Sequence, residues 1–252
     1  MIADLAPAFP ANTERLAAAL SLHKGQNAAA IRCADLLEPD VLVGMVDRLI
    51  SRFPEAGRPD LAVVWARRYC IRLLGGAVFP TFLLDRRLPV TLADTALIVE
   101  ADTGFPAVFL LPHAGISFDT ADPFERLAPL VRDHFDPFLT SIARHCKAPI
   151  KVLWGNAAVA ADNLFKHARM IATEAGRVLA SDPMLLAEAT HWPDGWRNPL
   201  HEPFLPPTDG DARQVRKTCC LHYRLEPKSK LCASCPILAK QNRRATCVTD
   251  AA

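Results

Sequence analysis

Thr218-Cys219-Cys220-Leu221-His222-Tyr223-Arg224-Leu225-Glu226-Pro227-Lys228-Ser229-Lys230-Leu231-Cys232-Ala233-Ser234-Cys235-Pro236 places four thiols within seventeen residues, and the rest of the chain is read outward from it. Cys232 and Cys235 stand at the Cys-x-x-Cys spacing that lets one turn deliver both sulfurs to a single metal ion. That spacing recurs in zinc modules, iron-sulfur clusters and redox dithiols. The adjacent pair Cys219-Cys220 is more informative, because neighbouring side chains diverge and do not readily chelate one small tetrahedral ion. A binuclear acceptor eases that conflict, since a [2Fe-2S] cluster divides four thiolates between two irons. On spacing alone zinc, iron-sulfur and disulfides or free thiols all stay open.

The run Thr218 to Leu225, followed by Cys232-x-x-Cys235-Pro236, closely resembles the C-terminal cluster segment of ferric-siderophore reductases of the FhuF type. Eleven residues, Leu221 to Leu231, separate the two pairs, one more than the family's spacing. The polar turn Pro227-Lys228-Ser229-Lys230 absorbs an extra residue easily. Trp154-Gly155-Asn156 and Asn198-Pro199-Leu200 resemble the family as well. The resemblance implies a [2Fe-2S] cluster held by Cys219, Cys220, Cys232 and Cys235, and an oxidoreductase that reduces ferric siderophore iron by one electron.

The chain has 252 residues, half of them hydrophobic, enough for a substantial core in one large domain or two small ones. A net charge of +2 argues against a general nucleic-acid footprint. The N-terminus lacks a basic stretch followed by an apolar run, so a secretory signal is not expected and a reducing, cytoplasmic setting is. The most apolar stretch, Leu61 to Leu84, is interrupted by Arg67, Arg68 and Arg72 and is too broken for a membrane span; docking on the inner face of a membrane remains compatible. Of the eight cysteines, Cys33, Cys70 and Cys146 read as small core residues and Cys247 as a spare thiol.

Taken in order, Asn12 to Leu22, Pro39 to Phe53, and Pro59 to Gly75-Gly76 read as helices from apolar spacing and Pro or Gly stops. Ala96 to Glu100 and Pro106 to Leu111, joined by Asp102-Thr103-Gly104, read as a β-hairpin. Phe79 to Leu92 adds one or two strands to the same sheet. Asp122-Pro123 and Asp136-Pro137 match an N-cap followed by Pro, which predicts short helices divided at Pro129 and Pro137. Trp154-Gly155-Asn156 leads into an Ala-rich helix ending near Gly176, and Asp182-Pro183 opens another. The expected fold is α+β, predominantly helical, with a small antiparallel sheet and a short Cys-rich iron-sulfur segment. Residues 1–205 form the body and 206–252 the cluster segment, with Pro206 to Gly210 as linker.

Trp154 offers a flat aromatic face and Asn156 a two-way amide. Together with Trp192 and Trp196 in a proline-rich loop, and with Tyr223 and Arg224, they are candidates for siderophore contact. The tail is basic, and Arg213, Arg216, Lys217, Lys228 and Lys230 are candidates for steering an acidic electron donor or an anionic chelate. Neither a dinucleotide fingerprint nor a phosphate-binding loop is present, so a separate donor such as a ferredoxin, flavodoxin or reductase is expected. The protein is expected to be a monomer that does not bind nucleic acid. The rival readings are a structural zinc-binding interaction module and a cluster-containing nucleic-acid sensor.

Overall fold

The computed structural model describes residues 2–11, 13–23, 25, 29–207, 214–225 and 231–241. Its spine is α3, Arg58–Leu83, a 26-residue helix starting with Pro at its first turn. From Leu61 to Leu83 nearly every side chain is buried, which is the pattern of a helix wrapped on all sides by protein. It packs chiefly on α6, Ile150–Glu174. Around this pair sit α1 (Glu14–Ala17), α2 (Pro39–Asp47), α4 (Pro123–Leu130), α5 (Asp136–Cys146) and α7 (Leu185–Glu188).

The fold is α+β and mainly helical, as expected. Its four-stranded sheet runs in the order β1 (Leu20–Leu22), β5 (Pro106–Leu111), β4 (Ala96–Val99), β2 (Ile31–Arg32). The predicted hairpin is β4 and β5, antiparallel with Leu97 opposite Phe109. The sheet is mixed, because β1 joins β5 in parallel, with Leu20 beside Phe109. Leu20 to Leu22 therefore leaves the expected first helix, which ends at Ala17. Phe79 to Leu83 is helix and adds no strand. Only Arg86–Arg87 (β3) is extended, and it pairs with Ile116–Ser117 (β6) in a separate two-stranded sheet.

Two helix stops predicted from local residues are overridden. α3 continues through Gly75-Gly76, where a Cβ would lie 2.7 Å from Leu16 and 2.5 Å from Leu20. These glycines serve close packing of α1 and β1 on the helix. Residues 123–146 form one helical run with a π-helical turn at Val131–Phe135, so Pro129 and Pro137 do not divide it. Pro137 has no N–H, and the Asp133 carbonyl instead accepts from Leu92 N–H at 3.3 Å. Asp136 is consequently helical, whereas Asp122 is a true N-cap accepting from Phe124 N–H at 2.9 Å.

The centre of the core is aromatic. Tyr69 stacks on Phe138 at 4.0 Å and meets Phe109 edge-on at 4.8 Å. The Tyr69 hydroxyl donates to Nε2 of the fully buried His134 at 2.6 Å, and Nδ1 of that ring donates to the Val90 carbonyl at 2.7 Å. Burial holds His134 down to about 4, so the neutral ring is the one that fits here. Cys33, Cys70 and Cys146 are buried thiols in this core, each pushed up by burial.

Candidate functional site

The thiols reach one patch through two short stretches. Residues 214–217 run antiparallel to 203–205: Leu205 N–H donates to Val215 O at 2.8 Å and Lys217 N–H to Pro203 O at 2.9 Å. This lays Thr218 on α6 at Gly155, so tightly that a Cβ there would lie 2.1 Å from Thr218 Oγ1. Beyond Cys220 the chain reverses at Leu221, whose φ of 57° is left-handed and uncommon without glycine. The reversal turns the N–H groups of Leu221 and His222 onto the sulfurs of Cys219 and Cys220.

The second stretch begins at Leu231. Cys235 N–H closes a turn on Cys232 O at 2.9 Å, and residues 236–241 continue as helix with Pro236 at the first position. Arg216 N–H donates to Ser234 O at 3.0 Å, tying the two stretches together. Cys220 and Cys235 are buried, Cys219 and Cys232 half-buried.

Cys220 is the hub. Cys219 and Cys232 both hydrogen-bond to its sulfur, and Cys235 is close enough to Cys219 and Cys232 to couple with each electrostatically. The hydrogen bond from Cys219 holds the Cys220 thiol well below its ordinary range. The His222 N–H and the Arg216 and Arg67 charges act in the same direction. The Cys219 and Cys232 thiols are held above theirs, Cys219 first by that same hydrogen bond and Cys232 first by burial. Among the described residues no three His, Cys, Asp or Glu side chains meet around an ion-sized point.

The surroundings fit an anionic thiolate-bound group. Arg67 from α3 and Arg216 line one small cavity with Asn156, and the Nε of each guanidinium is buried without a hydrogen-bond partner among the described residues. Withdrawing two cations from water, Arg216 fully and Arg67 in part, without a carboxylate among the described residues is unfavourable unless something negative lies nearby. Thiolates meet that need, and a four-thiolate [2Fe-2S] cluster, carrying about two negative charges when oxidised, meets it more fully. The residues that would hold it are Cys219, Cys220, Cys232 and Cys235.

Other sequence candidates fall in different places. Asn156 faces away from solvent, its Oδ1 accepting from Arg216 at 3.0 Å. Arg216, expected on a partner-facing surface, is 4% exposed: in the extended stretch, alternation sends Val215 and Lys217 outward and Arg216 inward. Trp192, expected to be partly exposed, is buried under Phe124 and Arg132, with ring centroids 5.2 Å apart in the first case. Trp196 lies between Trp192 and Trp154. Of the sequence candidates, Trp154 and the exposed Lys217 line the large cleft beside Thr218. Arg224 is paired with Asp60 at 2.9 Å at the start of α3, next to Tyr223. Arg213, Lys228, Lys230 and Cys247 lie outside the described residues.

Sequence reasoning placed Gly155, Thr218 and Asn198 in family-like motifs and Arg67 as a break in an apolar stretch, but gave none of the four a role at the site. Asn198 is buried and holds the 186–200 loop, its Nδ2 donating to Leu186 O at 2.7 Å and Ala189 O at 2.8 Å. The available signals were an arginine inside an apolar helix and an Asn-Pro pair after two tryptophans.

Fold and site define an α+β, mainly helical protein carrying a thiol-rich C-terminal centre over the half-buried Arg67 and the buried Arg216. The sequence profile of the family described as ferric iron reductase FhuF-like transporter matches residues 64–230, and the chain belongs to that family. The match takes in Arg67, Trp154-Gly155-Asn156 and Cys219-Cys220 and ends just before Cys232. Among curated proteins none matches the chain. Among the described residues no helix is long and apolar enough to cross a membrane.

Proposed function

We propose that the protein reduces ferric iron held by a siderophore, using a [2Fe-2S] cluster on Cys219, Cys220, Cys232 and Cys235. The observation that carries this is the gathering of four unpaired thiols over Arg67 and Arg216, in a chain of the ferric iron reductase family. Bound there, such a cluster supplies a one-electron couple. Around it the Leu221 and His222 amides and the two guanidiniums would offset negative charge and so favour the reduced state. Burial of Cys220 and Cys235 keeps water from the inner pair, while half-buried Cys219 and Cys232 form the edge through which an electron enters and leaves.

One electron passes to Fe(III) in the chelate and is replaced by a separate donor protein of the ferredoxin, flavodoxin or flavin-reductase class. Oxygen ligands hold Fe(II) far less firmly than Fe(III), so reduction loosens the iron without acid-base chemistry. The seven free cysteines of the described residues suit a reducing cytoplasmic setting.

The test is absorption and electron paramagnetic resonance of anaerobically purified protein before and after dithionite, with iron and inorganic sulfide counted. Roughly two of each per chain are expected. Colourless protein containing zinc and no iron overturns the reading. Cys232→Ser is expected to lose the cluster and ferric-chelate reduction together, and reduction retained by a cluster-free variant overturns the electron route.

A further inference from the structure

Beside Thr218 a cleft of about 930 Å³ opens between the first turns of α6 and the loop around residues 190–203. It is several times the 190 Å³ cavity beside Arg67 and Arg216, and at the upper end of the ~300–1,000 Å³ that holds small-molecule ligands. Its charge is lopsided. Lys151, Arg197 and Lys217 line it against the single carboxylate of Glu202. Glu202 lies 3.4 Å from Lys217 and 3.6 Å from His201, whereas Lys151 and Arg197 have no acidic partner among the described residues.

Three further features point the same way. α6 starts beside the cleft with Pro149 as its N-cap and no side-chain cap, so the uncapped, positive end of a 25-residue helix lies at the cleft wall. Thr218 Oγ1 on the floor and His201 Nδ1 on the wall are buried without hydrogen-bond partners among the described residues. Trp154 supplies an aromatic wall.

We propose that this cleft is the docking site for a ferric chelate of net negative charge, of the catecholate or carboxylate class, seated against Trp154 between Lys151, Arg197 and Lys217. The assignment rests on the reductase reading for its ligand class. Thr218 directly precedes Cys219, so a ligand on the cleft floor is one Cα step, about 3.8 Å along the chain, from the first sulfur-bearing residue. A cleft that gathers anions there brings ferric iron to the half-buried edge of the thiol patch.

Gallium(III) chelates test this without redox chemistry, because gallium matches ferric iron in charge and is not reduced. Purified protein is titrated, by calorimetry and tryptophan fluorescence, with a trianionic gallium tris-catecholate and with a neutral gallium trihydroxamate. The tris-catecholate is expected to bind at least about tenfold more tightly, and Lys151→Glu/Arg197→Glu to remove that preference, a factor of about ten for two exposed charges reversed. Equal affinity for both chelates, or an unchanged preference in the double variant at matched melting temperature, overturns the assignment. Preferential gallium binding by protein that reduces no ferric chelate upholds the cleft and rejects the reductase reading. Ferric reduction with no charge preference in gallium binding does the reverse.

Discussion

Gly155→Ala puts the junction between body and thiol segment under direct strain. The added Cβ would stand 2.1 Å from Thr218 Oγ1, 2.9 Å from Cγ2 and 3.0 Å from Cβ. Because all three side-chain atoms crowd the site, rotating Thr218 only exchanges one clash for another. Reaching an ordinary 3.4 Å contact needs a retreat of about 1.3 Å by the segment that carries Cys219. Overpacking of this kind costs about 1–3 kcal/mol, while alanine in a helix interior returns about 1 kcal/mol over glycine, leaving a net loss of about 0–2 kcal/mol. The melting temperature should therefore fall by only a few degrees, roughly 2–4 °C per kcal/mol in a chain this long. Cluster retention should fall much more, because the displaced atoms are one residue from a ligand. The assay is iron per chain after gel filtration, set beside thermal unfolding. Gly44→Ala in α2, where nothing lies within 4 Å of the new Cβ, is the control and should gain stability without losing iron. If Gly155→Ala keeps its full iron complement and melts like Gly44→Ala, the tight seating of Thr218 on α6 does not position the thiols.

Arg216→Gln removes one buried cation from the thiol patch, so the cluster's reduction potential should fall by about 40 mV, the equivalent of about 1 kcal/mol for one electron. A redox titration followed by electron paramagnetic resonance reads this directly, and the exposed neighbour Lys217→Gln should shift it far less; equal shifts would mean that burial is irrelevant. His134 binds its proton with a pKa of about 4 when folded against 6.5 for the free side chain. Its contribution is therefore complete above pH 6.5 and is lost as pH falls through that window to 4, by up to about 3 kcal/mol. His134→Gln should flatten the acid limb of stability against pH, measured by urea unfolding, and an unchanged slope would show that another group sets it. Chelating the iron under anaerobic conditions should abolish the visible absorption while far-ultraviolet circular dichroism retains its helical signal; cooperative loss of helix would show that the core depends on the cluster.

The legible parts of the sequence are those whose meaning is local. The hairpin followed from two β-rich runs around Asp102 and Gly104, and the Asp122 cap from its neighbouring Pro123. Cys219, Cys220, Cys232 and Cys235 stood out by spacing. Where a residue's partner is distant, local rules failed. Gly75-Gly76 reads as a helix stop because glycine usually lacks a reason to sit inside a helix, but here the reason is the approach of Leu16 and Leu20. β1 is three residues long and its parallel partner lies beyond Pro106, so nothing nearby marks it as a strand. Arg67 is one of four arginines in α3, and only the tail's return across the helix gives it a role. Arg216 was not legible either, because alternation separates it from Val215 and Lys217 but hydropathy would turn Val215, not the arginine, inward.

Residues that position the thiols belong to the two helices that dominate the core. α3 supplies Arg67 toward Cys220 and Asp60 to Arg224; α6 supplies Gly155 beneath Thr218 and Asn156 to Arg216. The core side chains of α3 and α6 are buried mainly against each other and against the sheet, with Leu221 and Leu225 of the tail packed on that core. Most of the core therefore lies in residues before the thiol segment, and that segment takes its shape from contacts with α3 and α6. On the proposed reading such a protein would fold first and take up its cluster afterwards, unlike a zinc finger, in which the metal supplies the folding energy. It also explains why cations sit beneath the thiols in advance. Arg67 is set by α3 and Arg216, from the tail, is tied to Asn156 of α6, so the positive field would be in place before a cluster bound, and its burial cost would be met by packing of the tail on the helices.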